Sequence, residues 1–319
     1  MGLPISILLP TRNSMRFLPA HLDKLEPLLL VVEEVIHVDS ESRDGTVELI
    51  RERIPAGKLR FFAQPPGLYQ SWNFGIQQVR AKYISVSTIG DSMQLAGLDR
   101  LCNVGETLAA DIVVSPPEFH SEKGTRVEQR WPVHQMIEEL KIFEPRIVPK
   151  LAAFAFAVAG WQGGILNSSA SNLYRTEVFK MRPFPLELGT AGDVGWGIAN
   201  SLFTRIAICP EHFSTFLIHE KTYSLTDYRV CGFREKVVNL ARKAAEEAGL
   251  ATTKPIDDFL AAMERDHELQ TNLEGFRTSR LPWILRPGAW RVRREREKNK
   301  TKLQATRADM ISAGMRDGA

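Results

Sequence analysis

The chain has 319 residues, with 41 Lys and Arg against 38 Asp and Glu for a formal net charge of +3. On a soft prior of roughly 150 residues per domain, this length suggests about two domains, or one large domain with an extension. A composition of 44% hydrophobic and 25% charged residues excludes global disorder, and Cys102, Cys209 and Cys231 are too few and scattered for a disulfide scaffold or a Cys-x-x-Cys centre.

The first ~115 residues alternate regularly between strand and helix patterns. Ile5–Leu9 reads as a buried strand, Phe17–Leu29 has helical spacing, and Val35–Val38 is a second strand followed by a helix over Thr46–Arg53. Leu59–Phe62 is a short strand, Trp72–Val79 a helix, Tyr83–Ser87 a strand, Leu95–Leu108 a helix and Asp111–Val114 a strand. Repeated β-α-β units of this size predict a mostly parallel sheet with helices on both faces, and ligands beyond the carboxyl ends of its strands.

Residues 116–165 carry five prolines and are expected to be an irregular insertion with a functional role, in which Trp131, His134 and Trp161 are candidate contact residues. A mixed α/β stretch follows to about Tyr223. The remainder is expected to be helical, with Val237, Leu240, Ala241, Ala244, Ala245 and Ala248 at helical spacing and Gly249 as C-cap. The apolar run Leu151–Ala159 is too short to span a bilayer, and Ile5–Pro10 lacks the basic flank of a secretory signal, so the expected compartment is the cytosol. Arg286–Lys302 holds eight Lys or Arg and two Glu, net +6, which leaves −3 for the rest. Next to Leu281–Leu285 and Trp290, this segment suits either a solvated helix or peripheral contact of residues 281–302 with an anionic membrane; nucleic acid is not expected as a partner.

Polar residues gather at four strand ends: Pro10-Thr11-Arg12-Asn13, then Asp39-Ser40-Glu41-Ser42-Arg43-Asp44-Gly45-Thr46, then Gly67 through Gly75, then Thr88-Ile89-Gly90-Asp91. Asp39 can accept from a base N–H or a ribose hydroxyl, and Asp44 can cap the helix that follows. A carboxylate at position 91 is placed to hold a divalent cation against a diphosphate.

In this order the four segments resemble the family-2 glycosyltransferases of the GT-A fold. That family opens with Pro-Thr-x-Asn, continues with Val-Asp-Ser-x-Ser-x-Asp-Gly-Thr (here Val38–Thr46) and carries Gly-aromatic-x-x-x-Asn-x-Gly (here Gly67–Gly75). The resemblance covers residues 4–115 well and 165–223 loosely. It implies a GT-A domain over residues 1–226 and a helical extension over 227–319. By the same resemblance Pro10, Thr11, Asn13, Asp39, Ser42, Asn73 and Thr88 bind a nucleotide-sugar donor, UDP-linked, and the acceptor is a glycan or lipid-linked hydroxyl. The family's Asp-x-Asp metal motif is degenerate here: Thr88-Ile89-Gly90 stand at its positions and only Asp91 remains, with His219 as a second candidate ligand for Mg2+ or Mn2+. Asp193 stands where the family has its catalytic base, with Gly192 in place of the usual preceding Glu, and implies an inverting mechanism. The Gln-x-x-Arg-Trp motif and membrane helices of processive members are not found. Two alternatives are a non-catalytic member of the fold that binds nucleotide sugar or glycan, and a nucleotidyltransferase; the latter would need a Gly-rich first loop that Pro10–Asn13 does not provide.

Overall fold

A computed structural model describes residues 2–159, 164–166, 168–219, 233–277 and 287–317. Strands β1 (Ile5–Thr11), β2 (Glu34–Asp39), β3 (Leu59–Ala63) and β4 (Tyr83–Val86) alternate with helices α1 (Leu18–Leu29), α2 (Thr46–Arg53) and α3 (Leu68–Gln78). The chain continues through β5 (Ser92–Met93), α4 (Leu95–Thr107), β6 (Ile112–Val114), β7 (Glu118–Ser121), α5 (Pro132–Glu139), β8 (Arg146–Ile147) and α6 (Lys150–Ala159). Then follow β9 (Asn172–Arg175), α7 (Thr176–Met181), α8 (Gly192–Asn200), β10 (Ile206–Ile208), β11 (Ser214–Ile218), α9 (Phe233–Glu247), α10 (Ile256–Arg277) and α11 (Pro287–Asp317).

Eight strands form one sheet in the order β3-β2-β1-β4-β9-β6-β10-β8. The first four are parallel, β9 runs antiparallel to β4 and β6, and β8 closes the edge antiparallel to β10. A small second sheet, β5-β11-β7, stands beyond the end of β4. This is the expected mixed α/β architecture, with a mostly parallel sheet through its first half.

Alternation along the strands divides the core. Ile7, Leu9, Val35 and Val113 pack with α1, α2 and α4 on one face, while Leu8, Ile36, Val38 and Val114 pack with α3, α6 and α8 on the other. Helix α3 lies so close to the sheet that a Cβ on Gly75 would sit 2.4 Å from a Leu8 methyl and 2.9 Å from Val38. The helix also opens at Leu68, four residues before the expected Trp72. Its first turn is held down because Tyr69 and Trp72 are both buried.

The expected irregularity of residues 116–165 does not hold. The segment contains β7, α5, β8 and α6. Pro132 opens α5 at a position where its missing N–H costs nothing. In α6 every residue from Ala152 to Val158 is buried, so the sequence has an unbroken apolar run where an amphipathic rhythm would mark a surface helix.

Helix α9 ends as read, with Gly249 at φ +70° and the Gly249 and Leu250 N–H groups donating to Glu246 and Ala245 carbonyls. Helices α9, α10 and α11 join the core of the α3 face through Ala241, Phe259 and Met310, in one cluster with Phe156. Along its seam with α10, α11 buries Ala289, Asn299 and Thr306. Asn299 donates to the Ala262 carbonyl, and Arg296 forms a fork with Asp266 at 3.0 and 3.3 Å. Among the described residues no helix is long and apolar enough to cross a membrane. Leu281–Arg286 and Trp161 lie outside the described residues.

Candidate active site

The parallel register places Thr11 opposite Asp39 at the carboxyl ends of β1 and β2. Asp39 is buried, and its Oδ1 accepts from the Thr11 hydroxyl at 2.8 Å and the Ser42 hydroxyl at 2.6 Å. Its Oδ2 accepts from the Ser42 N–H at 2.8 Å. The two loops that follow are stitched together. The Asn13 N–H donates to Ser42 Oγ (2.8 Å), the Arg43 N–H to Asn13 Oδ1 (3.0 Å) and the Met15 N–H to Asp44 Oδ2 (3.0 Å). Asp44 Oδ1 also accepts from the Thr46 N–H at the start of α2, as its capping role requires. Thr11, Asn13, Asp39 and Ser42 therefore form one hydrogen-bonded cradle, with Pro10 on the strand leading into it. Reading the sequence did not single out buried His37, whose Nε2 lies 2.8 Å from Thr11 Oγ1.

Asn73 faces elsewhere. Its amide donates to the Phe184 carbonyl and accepts from the Phe184 N–H, both at 2.9 Å, and so fixes the Arg182–Pro185 segment against α3. From that segment the chain rises to α8, which opens with Gly192 and Asp193. A Cβ on Gly192 would lie 2.4 Å from the Tyr69 ring, so the glycine makes room for Tyr69 beside Asp193. Asp193 Oδ1 accepts from the Val194 N–H at 2.8 Å, and the Tyr69 hydroxyl donates to the same carboxylate. Burial outweighs these donors and pushes the carboxyl up to about 6. The Asp39 cradle and Asp193 are linked through α3, because Ser40 and Ser71 hydroxyls bond at 2.8 Å two residues from Tyr69 on that helix. Tyr69 and Ser71 stand within the third polar segment of the sequence, but only the packing of α3 against α8 gives them these roles.

At the end of β4 the chain makes a tight turn. The Asp91 N–H donates to the Thr88 carbonyl at 3.0 Å, with Gly90 at φ +100° between them. The turn leaves Thr88 half-buried at the rim and sends Asp91 into the protein, where it is 4% exposed. Asp91 Oδ1 accepts from the Leu217 N–H of β11 (2.9 Å) and Oδ2 from the Ser168 hydroxyl (3.2 Å). Burial pushes this carboxyl up to about 7. Buried His21 reinforces the turn, since its Nδ1–H donates to the Asp91 carbonyl (3.0 Å) and its Nε2 accepts from the Ser87 hydroxyl (2.8 Å). His219 packs at a tilt against Phe17 with ring centroids 5.3 Å apart. Among the described residues, no three His, Cys, Asp or Glu gather to hold a metal. The expected metal pair therefore does not fit a divalent cation: Asp91 is buried with its carboxyl turned to Leu217 and Ser168, and among the described residues no group of three ligands includes it or His219. Trp131 packs edge-on against Phe119 and Phe216, and His134 Nδ1 accepts from the Trp131 N–H at 3.2 Å, so this aromatic pair is part of the small sheet's packing.

Residues 6–159 match the family described as glycosyl transferase family 2. No curated protein matches in sequence. Among solved structures the chain is similar to S. aureus TarS 1–349 in complex with UDP-GlcNAc, with a TM-score of 0.60 at 17% identity over 100% of this chain and 92% of that one. It is likewise similar to TarS 1–349 in complex with UDP, at 0.58 and 18% over the same shares. A longer S. aureus TarS structure gives 0.56 at 16% identity, over 98% of this chain and 55% of that one. These identities speak to the fold, and the family match to the first half of the chain. Together with the four strand ends in their order, they give residues 6–159 as a family-2 glycosyltransferase region in a chain of the GT-A fold.

Proposed function

We propose that this chain is an inverting transferase that moves a sugar from a UDP-linked donor to a hydroxyl of a glycan or lipid-linked acceptor. The observation that carries the reading is Asp193: a carboxylate at a helix start, raised toward neutrality by burial, held by Tyr69 and joined through α3 to the Asp39 cradle. In the proposed reaction Asp39 accepts a donor group of the nucleoside, and Thr11, Asn13 and Ser42 keep that carboxylate in place. Asp193 takes the proton of the acceptor hydroxyl as its oxygen bonds to the anomeric carbon. The bond from that carbon to the diphosphate breaks on the opposite side, and the nucleoside diphosphate leaves with the electron pair. No step is assigned to a metal at Asp91 and His219, because Asp91 is buried and its carboxyl is turned inward to Leu217 and Ser168. The UDP-GlcNAc in the TarS complex supports a UDP-linked donor.

The exposed basic residues of α11, with Trp290 51% exposed beside them, support contact with an anionic membrane that carries the acceptor. The test is a panel of UDP- and GDP-sugars with and without divalent metal, scored for binding and for transfer. Neither binding nor turnover with any donor would end the reading. For the membrane contact, neutralising Arg291, Arg293 and Arg294 is expected to abolish binding to anionic liposomes. A wild-type chain that ignores such liposomes at low salt removes that part alone.

A further inference from the structure

His37 occupies the middle of β2 opposite Leu9 and is wholly buried. Val35, Ile36 and Val38 around it are apolar, so an imidazole here has to be accounted for by its contacts. Two are short and in series: His37 Nε2 to Thr11 Oγ1 at 2.8 Å, then Thr11 Oγ1 to Asp39 Oδ1 at 2.8 Å. On its other side, Nδ1 is buried with no hydrogen-bond partner. The flanking groups are Phe61, its ring tilted against the imidazole with centroids 5.3 Å apart, and Arg51 over the Phe61 ring. Burial drives the imidazole down to about 4, so near neutral pH the ring carries one N–H.

That single proton has two places to sit. On Nδ1 it would point at no acceptor, and Nε2 would be bare. The one hydroxyl proton of Thr11 would then have to serve both Nε2 and Asp39, which leaves one 2.8 Å contact with lone pair facing lone pair. On Nε2 the ring donates to Thr11, the Thr11 hydroxyl donates to Asp39, and each contact holds a proton. In this arrangement Asp39 Oδ1 is filled by the Thr11 and Ser42 hydroxyls. Oδ2 takes the Ser42 N–H and keeps one lone pair.

We propose that His37 is a positioning residue of the nucleotide subsite: by fixing the direction of the Thr11 proton it leaves Asp39 with one free acceptor, on Oδ2. A ligand that presents an N–H or O–H there is bound, and one that presents a lone pair is rejected. His37 itself touches no ligand. The inference rests on the reading of Asp39 as the nucleotide contact, and its experiment has one arm that does not.

That arm is 15N NMR of the labelled, ligand-free chain. His37 is expected as the Nε2–H tautomer with a slowly exchanging ring proton, whose exchange quickens in Thr11→Val. An Nδ1–H tautomer overturns the relay whatever the chain binds. The second arm is calorimetry with UDP and GDP. His37→Leu and Thr11→Val are each expected to weaken UDP binding about threefold to tenfold. The double variant is expected to be no weaker than the poorer single one, because both remove the same relay. His37→Gln, which restores an N–H donor, is expected to recover part of the loss. Losses that multiply in the double variant, or an unchanged UDP affinity in His37→Leu with native circular dichroism, overturn the proposal. A wild type that binds no nucleoside diphosphate refutes the nucleotide reading of Asp39, and the NMR arm then decides the relay alone. Should His37→Leu fail to fold, the cycle is run with His37→Phe, which also lacks the donor.

Discussion

Asp193→Asn separates chemistry from binding at this site. The amide oxygen can still accept from the Val194 N–H, and the Tyr69 hydroxyl can still bond the amide, so the local geometry survives while the proton acceptor is lost. A positioned general base contributes about 10²–10⁴-fold, and kcat is expected to fall by that factor with the UDP affinity unchanged, since the Asp39 cradle is untouched. The structure also sets the pH dependence. Burial lifts the Asp193 carboxyl from an ordinary 3.8 to about 6, which makes it a stronger base than a solvated aspartate while about nine-tenths of it stays ionised at pH 7. As pH falls through about 6 the base takes up its proton, so kcat/KM is expected to drop tenfold per pH unit on the acid side and to be flat above. Tyr69→Phe removes a hydrogen bond that favours the ionised form and is expected to move that acid limb to higher pH. The assay is the initial rate of nucleoside diphosphate release with acceptor present, paired with UDP calorimetry. An Asp193→Asn variant that keeps more than about a tenth of the wild-type kcat would falsify the assignment, and so would an acid limb near 4.

Asp91→Asn tests whether that carboxylate is structural. Its folded pKa of about 7 lies above an ordinary 3.8, so its contribution to stability is complete below 3.8 and is lost as pH rises through 7. The loss is on the order of 4 kcal/mol, and the stability of the Asn variant relative to wild type is expected to grow over that window in urea unfolding curves. Turnover that falls a hundredfold in a well-folded Asp91→Asn would return the residue to the donor site. Gly192→Glu, which restores the family's acidic pair, is expected to lower kcat, because even its Cβ would lie 2.4 Å from the Tyr69 ring that holds Asp193; unchanged rates would sink this account. Gly75→Ala is expected to cost about 1–3 kcal/mol in thermal unfolding by forcing α3 off Leu8 and Val38, and a neutral variant would show that α3 has slack.

Much of the fold was legible because each early strand is a short apolar run ending in polar residues, and each early helix carries a repeating apolar stripe. The same punctuation marked Thr11, Asn13, Asp39 and Ser42, whereas Asp193 was marked only by the family resemblance. Helix α6 was not legible: buried on all sides, it lacks the periodicity by which helices are recognised. Tyr69 and His37 were missed for a different reason. Their partners lie 124 and 26 positions away in the chain, and only the seating of α3 under α8 and the register of β1 on β2 bring them together.

The degenerate metal motif shows how one backbone dihedral governs what a carboxylate can do. Read along the chain, Thr88-Ile89-Gly90-Asp91 is a strand end with its acid one step late, and that acid looked available to a cation. The fold closes the four residues into a turn with Gly90 at φ +100°, a conformation that a side chain at 90 would strain. An acid at position 90 would therefore oppose this turn, and with the turn in place Asp91 is carried to Leu217 and Ser168. There it ties the end of β4 to β11, while His21 holds the same turn from α1. The glycine and the buried acid are two parts of one change. Restoring an acid at 90 alone would leave Asp91 facing inward, so recovering a metal-binding loop would require both positions to change together.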